Sequence, residues 1–471
     1  MAPVYRQDED HAGVFRAARY SPTGAVPESL SGSLAQRAED LRQGRIDHDR
    51  WRVEASNWAA YADSRYQACV DLRPVQRGGP GFRVGVKDTL DVAGFATRMG
   101  LRHYRHYPPR TAPVLSGLPV SSVVSKLVTT EINIGRGHGC VNPYFPHLDP
   151  AGSSTGCAVA VAAGITDVAI GTDSVGSVRL PAAACGVVGL RLTHDPLHFA
   201  TGFRSSSLLD APGIVARTAE DLDWVWRQGW FGSAGPTSSA RSSIRVGVVA
   251  EVLENWRSPE VVRAQDLVMR ALTAGGHQLR TVRLDEIWRW RGSVFQLCAR
   301  HAWDRCRTWP KRVTGSFGEP TRLALESGAA VTDERLAEIE AAVRRTRAAV
   351  PAIFDDQDVD LWLLPAGPRP PRNIHTTSAP VSTIPDPDDL DDPRLTGYAS
   401  VASLAGLPAI TFPVVYDETL DAPIEMQAVG RPHSEPVLID FARRMFRLLE
   451  GPVFRLGAVP PAPVADPRVA R

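Results

Sequence analysis

Between residues 151 and 190 the chain reads AGSSTGCAVAVAAGITDVAIGTDSVGSVRLPAAACGVVGL, poor in charge and dense in Gly, Ala, Val and Ser. Small side chains let backbones and helices approach closely, so this segment reads as the packed centre of whatever the chain builds. Within it CAVAVAA predicts a buried helix ended by Gly164, and DVAIGT a buried strand.

On either side of that centre the pattern is that of a soluble α/β protein. Residues from Ser33 to about Ala68 alternate apolar and charged at helical spacing. A glycine-rich turn, RGGPG, then leads into FRVGVKDTLDVAG, which places Lys87 at the end of a short buried strand. After Ser243, IRVGVVAE predicts a strand, and Ser258 with Pro259 opens a helix. That helix carries Val261, Val262, Leu267, Val268, Ala271 and Leu272 on one side, ends at Gly275 and Gly276, and is followed by a strand through Leu279 to Leu284. Residues 285 to 350 read as mainly helical and DLWLLPAG as a strand. Residues 366 to 394 form a long Pro- and Asp-rich connection of the kind that builds binding walls, and PAITFPVVY and PVLIDFARRMFRLLEG supply a last strand and helix. Residues 1 to 30 and the Pro-rich 457 to 471 lack apolar periodicity and are expected to be loose, leaving a single domain over 31–456 whose more variable part spans about 230–395.

With 471 residues, 43% of them hydrophobic and 22% charged, the chain can bury a large core without disulfides or metals. A net charge of +1 without long single-sign runs offers no footprint for nucleic acid or an anionic membrane. No apolar run is long enough to span a bilayer, and the N-terminus has no apolar core of a secretory signal, so a cytoplasmic location is expected. The six cysteines have no zinc-ligand spacing and read as reduced, buried apolar residues. None of the twelve histidines falls in HExxH, so His103, His106, His138 and His147 read as surface or pocket residues. GRGHGC at 135–140 has the wrong spacing for a dinucleotide loop, and the Ser-rich segment lacks the Gly-Lys-Ser/Thr ending of a phosphate loop. No metal or organic cofactor is therefore expected. Trp288 and Trp290 fit an entrance lining or helix packing equally.

Fifty arginines stand against three lysines, Lys87, Lys126 and Lys311. Arg stays protonated at any accessible pH, whereas a desolvated Lys can lose its proton and serve as a base. Taken alone, Lys87 is better explained by an ion pair with Asp88 or Asp91, or by snorkelling to water, because structural ion pairs far outnumber catalytic lysines.

The Ser-rich segment changes that balance. GVKDTLDVAG resembles the lysine motif of the amidase signature family, and AGSSTGCAVAVAAG followed by GTDSVGSVRLPAAACGVVGL resembles its Gly- and Ser-rich signature. KLVTTEINIGRG, SSLLDAPGIVARTAEDL, LAGLPAITFPV and MQAVG continue the likeness in the family's order, over roughly residues 33 to 450. The resemblance implies an α/β/α fold with a large mixed sheet between helices. It also implies Lys87 as general base, Ser153 as a bridging serine in a cis peptide after Gly152, and Ser177 as nucleophile, 24 residues further on. By the same likeness the backbone amides of Ser174, Val175, Gly176 and Ser177 form an oxyanion hole. Asp173 and Arg179 brace the loop, Ser154 and Thr172 add supporting hydrogen bonds, and Asn133 contacts substrate. A lysine base needs its pKa brought from about 10.4 towards neutrality, roughly 4 kcal/mol of desolvation and local field, which a charge-poor centre supplies.

The chain departs from the family where Ala151, Thr155 and Val175 stand in place of glycine. Val175 is β-branched and is expected to narrow the acyl pocket. The segment before Lys126, PVSSVVSK, is short for the family, and HYRHYPPRTAP lacks the usual acidic residue. The function implied is hydrolysis of a small carboxamide through an acyl-enzyme on Ser177, with a small-molecule amide as partner and a homodimer left open. An acyl or amido transferase, including a glutaminase-type subunit, and a catalytically silent binding scaffold are the alternatives.

Overall fold

Strands with glycine at their close approaches can stack into a wide sheet, and in the computed structural model they do. It describes residues 26–134, 139–199, 201–231, 243–375 and 397–449. Eleven strands run in chain order: β1 (Cys69–Leu72), β2 (Val84–Lys87), β3 (Val123–Leu127), β4 (Val168–Asp173), β5 (Val188–Arg191), β6 (Ala211–Ala216), β7 (Arg245–Val249), β8 (Gln278–Val282), β9 (Leu361–Pro365), β10 (Ala409–Asp417) and β11 (Ala422–Gly430). They form one sheet in the order β1-β3-β2-β4-β6-β5-β10-β11-β9-β7-β8. β2 pairs in parallel with β3 and β4, and β7 with β8 and β9, while β4–β6, β6–β5, β5–β10 and β10–β11 are antiparallel. The sheet is mixed and covered by helices on both faces, as the resemblance implies.

Alternation of side chains divides the core in two. Val84, Val86, Val168, Ile170, Ile214, Ile410, Phe412 and Met426 lie on one face beneath the helices Pro259–Ala274 and Glu435–Leu448. The latter helix buries Leu438, Phe441, Met445 and Phe446. Phe441 meets Phe412 edge-on at 6.0 Å, and each such fully buried side chain adds about 1.5–3 kcal/mol. On the other face Leu127, Ala169 and Val215 pack with the helix Thr155–Ala162. All eight residues of that helix are buried, as expected of an element with no polar side.

Several boundaries differ from the sequence reading. The strand in IRVGVVAE stops at Val249, and Ala250–Glu254 is already helical. The strand after the double glycine is Gln278–Val282, not Leu279 to Leu284. The helix Asp333–Gln357 runs through Pro351 past residue 350 and stops only where Asp358 takes φ 51°. Leu30, inside the segment read as loose, is fully buried within the short helix Glu28–Ser31. Residues 1–25, the tail 457–471, His138 with most of GRGHGC, and 376–394 of the long connection lie outside the described residues. All six cysteines are buried, with no disulfide among them. No described helix is long and apolar enough to cross a membrane.

Candidate active site

Three short pieces of chain converge on the face of the sheet that carries Thr155–Ala162: the end of β2, the turn at Gly152 and the loop after β4. β2 is buried along its whole length, so its last residue, Lys87, enters the site without access to water. The Gly152–Ser153 peptide bond is cis. Ser153 O accepts from Thr130 N–H at 3.3 Å, and Ser154 N–H donates to Ser177 O at 3.0 Å, which ties this turn to the loop after β4. Gly171 makes room for the arrangement, since a Cβ there would lie 2.8 Å from Ser154 Oγ.

Lys87 Nζ lies 2.8 Å from Ser153 Oγ, 2.9 Å from Thr172 Oγ1 and 3.3 Å from Thr172 O. All three neighbours are neutral. Burial pushes the amine down from 10.5 to about 8, against weaker opposing fields from Cys157, Asp210 and Asp173. The acids adjacent in sequence are engaged elsewhere. Asp88 lies 3.3 Å from Lys126 Nζ and accepts from Arg98 N–H, and Asp91 accepts from Thr97 Oγ1. Lys126 thus has the ion pair that Lys87 lacks, and its Nζ also donates to Leu90 O and Thr97 Oγ1.

The loop from Ser174 to Ser177 is held from below by Asp173. That carboxylate accepts from the amides of Gly176 (2.8 Å), Val178 and Arg179, from Arg179 Nε and Nη2, and from Arg191 Nη1. Burial opposes its ionisation, but Arg179 and Arg191 outweigh that and hold it well below the usual carboxylate range. Arg179 reaches on to Ala399 O, Gln427 Oε1 and Ser403 Oγ, tying the loop to β11 and to the helix Ala399–Ala405. The Gly176 amide is therefore already committed, while those of Val175 and Ser177 have no partner among the described residues. Gly176 has φ +107°, and a Cβ there would sit 2.8 Å from Ala399 Cβ. Ser177 is half-buried, in contrast to Lys87 and Ser153. Ser154 Oγ donates to Thr172 O at 3.1 Å. Val175 joins the apolar cluster that holds Leu209 and Tyr398.

Asn133 has φ 65°, and its Oδ1 accepts from Thr129 Oγ1 at 3.2 Å, while its Nδ2 is buried without a hydrogen-bond partner. Trp288 packs against Tyr398 with ring centroids 5.6 Å apart, which favours packing over an entrance role. His103 and His106 are exposed, and His147 sits 3.7 Å from Asp421.

Two residues at the site escaped the sequence reading. Asp210 accepts from Ser174 Oγ (2.5 Å) and from the amides of Ser205 (2.7 Å) and Ser206 (3.2 Å), and burial pushes its carboxyl up. Arg191 donates to Asp173 O, Leu209 O and Leu407 O besides the carboxylate. SSLLDAPGIVA belongs to the family likeness, but nothing in one sequence marks its aspartate as a partner of Ser174.

A buried lysine amine against a serine hydroxyl, beside a loop with unpaired backbone donors, is equipment suited to acyl transfer. The profile of the Amidase family matches residues 53–439, and the chain belongs to that family of amide hydrolases. Among curated relatives, a glutamyl-tRNA(Gln) amidotransferase subunit of Thermus thermophilus is 28% identical over 74% of this chain and 81% of its own length. 2-Amino-5-chloromuconic acid deaminase of Comamonas testosteroni is 28% identical over 83% of this chain and 85% of its own. The solved structure of 6-aminohexanoate cyclic dimer hydrolase superposes with a TM-score of 0.77 at 20% identity, covering 91% of this chain and 99% of that one, a likeness of fold.

Proposed function

We propose that this chain hydrolyses a small or medium carboxamide to an acid and an amine or ammonia, through an acyl-enzyme on Ser177 with Ser153 as proton relay and Lys87 as base. The observation that carries the reading is the Lys87 amine: fully buried, without a carboxylate partner, pushed down to about 8, and 2.8 Å from Ser153 Oγ. A neutral amine has two hydrogens and one lone pair. Thr172 Oγ1 and O accept the two hydrogens, which leaves the lone pair for the Ser153 hydroxyl proton.

Ser153 gives its proton to Lys87 and takes one from Ser177, whose Oγ attacks the amide carbonyl. The oxyanion is met by the free amides of Val175 and Ser177, each such donor being worth about 3–4 kcal/mol to the transition state. Gly176 joins only by giving up Asp173, so it serves better as the pivot that aims the other two. Ser153 returns a proton to the leaving nitrogen, the C–N bond breaks, and water frees the acid by the same relay reversed. Asn133 Nδ2 supplies an unused donor for the substrate.

A fluorophosphonate probe tests this: the wild type is labelled, Ser177→Ala is not, and label on another serine with Ser177 untouched overturns it. The amidotransferase relative's name favours a second reading, a glutaminase-type subunit that passes ammonia on. Ammonia release by the isolated chain decides for free hydrolysis, and activity only with a partner subunit decides for the other.

A further inference from the structure

Among the described residues, half-buried arginines are nearly all held by an oxygen acceptor. Arg98, Arg204 and Arg305 are the exceptions, since none of their guanidinium groups has a hydrogen-bond or ion-pair partner among the described residues. Arg98 lies in the field of Asp88. Arg204 has no carboxylate among the described residues bonded to it, and neither has Arg305. Asp304, beside Arg305 in sequence, is occupied by Arg300 and Arg307. Asp210 is close enough for its field to reach Arg305, yet its oxygens are taken by Ser174, Ser205 and Ser206. The guanidinium carbon of Arg305 lies 5.3 Å from the ring centroid of Phe203, the residue next to Arg204. Burial, with the field of Arg204 added, pulls Arg305 below the usual arginine range, and Asp210 offsets this only in part.

The segment that carries Arg204 is tied to the candidate catalytic groups through its neighbours. Phe203 N–H donates to Thr89 O at 2.9 Å, two residues beyond Lys87. Phe203 shares an apolar cluster with Met99 and Ile132. Ile132 in turn lies between Asn133 and Thr130, the residue hydrogen-bonded to Ser153 O. On the other side Ser205 leads through Asp210 to Ser174. Further polar groups here are buried without partners, Ser205 Oγ, Asn133 Nδ2, Thr89 Oγ1 and Thr130 Oγ1 among them. Two half-buried like charges without a hydrogen-bonded anion leave two guanidinium forks free, and a carboxylate is an oxygen chemistry that satisfies such a pair.

We infer that the site is built for amides that also carry a carboxylate, which Arg204 and Arg305 hold with the Ser205 hydroxyl alongside. The acid group anchors one end of the substrate and leaves the carboxamide to Ser177, so the inference rests on the reading given under Proposed function. Matched isosteres test it: succinamate against succinamide, and glutaramate against glutaramide.

The anionic member of each pair is expected to be turned over with a kcat/KM at least about tenfold higher. Arg204→Gln and Arg305→Gln are each expected to cut that ratio by about fivefold or more, mainly through KM. A general packing defect would lower both members together and leave the ratio alone. Calorimetry on Ser177→Ala protein reads binding of the same four compounds without turnover, so the two ideas fail separately. Intact Ser177 labelling with no preference for the carboxylate in binding or turnover, or a preference that both arginine variants retain, overturns the anion site. A preference that survives while Ser177 proves unlabelled overturns the mechanism instead.

Discussion

Replacing Lys87 with arginine separates a protonic role from a structural one. An amine at about 8 is roughly one-tenth neutral at pH 7, half neutral at pH 8 and nine-tenths neutral at pH 9. If the neutral form is the base, kcat/KM rises about tenfold from pH 7 to pH 9 along a single ionisation, because that parameter reports the free enzyme. A guanidinium above about 12 has a neutral fraction below about one in ten thousand at pH 8, so Lys87→Arg falls by about a thousandfold or more although its charge is kept. The assay is initial-rate hydrolysis from pH 6 to 10 of an amide with no group titrating in that range. Stability gives a second reading with its own sign. The folded amine is held below its free value, so between about 8 and 10.5 the unfolded chain binds more protons and stability rises with pH. The penalty, about 3 kcal/mol from that shift, is full below pH 8 and gone above 10.5. Lys87→Met removes it, so wild type should gain about that much on the variant in denaturant titrations between pH 7 and 10.5. A flat rate profile between pH 7 and 9, or Lys87→Arg keeping more than about a tenth of the rate, would refute the reasoning.

Asp173→Asn leaves Arg179 and Arg191 buried without their anion and should cost about 3–5 kcal/mol in chemical denaturation. Because that carboxyl is held far below its free value, its stabilisation is present at neutral pH and fades only as acid takes the chain below about pH 4, which an acid titration will show. Ser174→Ala and Asp210→Asn each release the loop from its anchor and should lower kcat by about tenfold to a hundredfold with little change in KM, while Ser174→Thr restores the rate. Activity should persist after dialysis against EDTA, because the base and relay assigned here are side chains; loss on chelation with recovery on added zinc would count against them.

What the sequence made legible is what it keeps within one stretch of chain. The buried helix and strand between Ser153 and Ser177 announce themselves by composition, and β2 by its apolar run into Lys87. β5 and β6 do not. VGLR and APGIVA are short, carry glycine or proline, and become strands because the chain packs around them: a Cβ on Gly189 would lie 2.7 Å from Ala182 Cβ. The same limit governs the site. Asp210 meets Ser174 from 36 positions away and Arg179 meets Gln427 from 248, so neither contact leaves a local trace. Lys87 is the sharpest instance, because adjacency in sequence suggests the wrong partner. Asp88 follows it directly, yet neighbouring residues of an extended chain point to opposite sides, and Asp88 meets Lys126 instead. The fold thus gives one buried lysine a carboxylate and withholds it from the other. Burial pushes both amines down, but Asp88 opposes that fall at Lys126, whereas Lys87, hydrogen-bonded only to neutral groups, falls to about 8 beside Ser153.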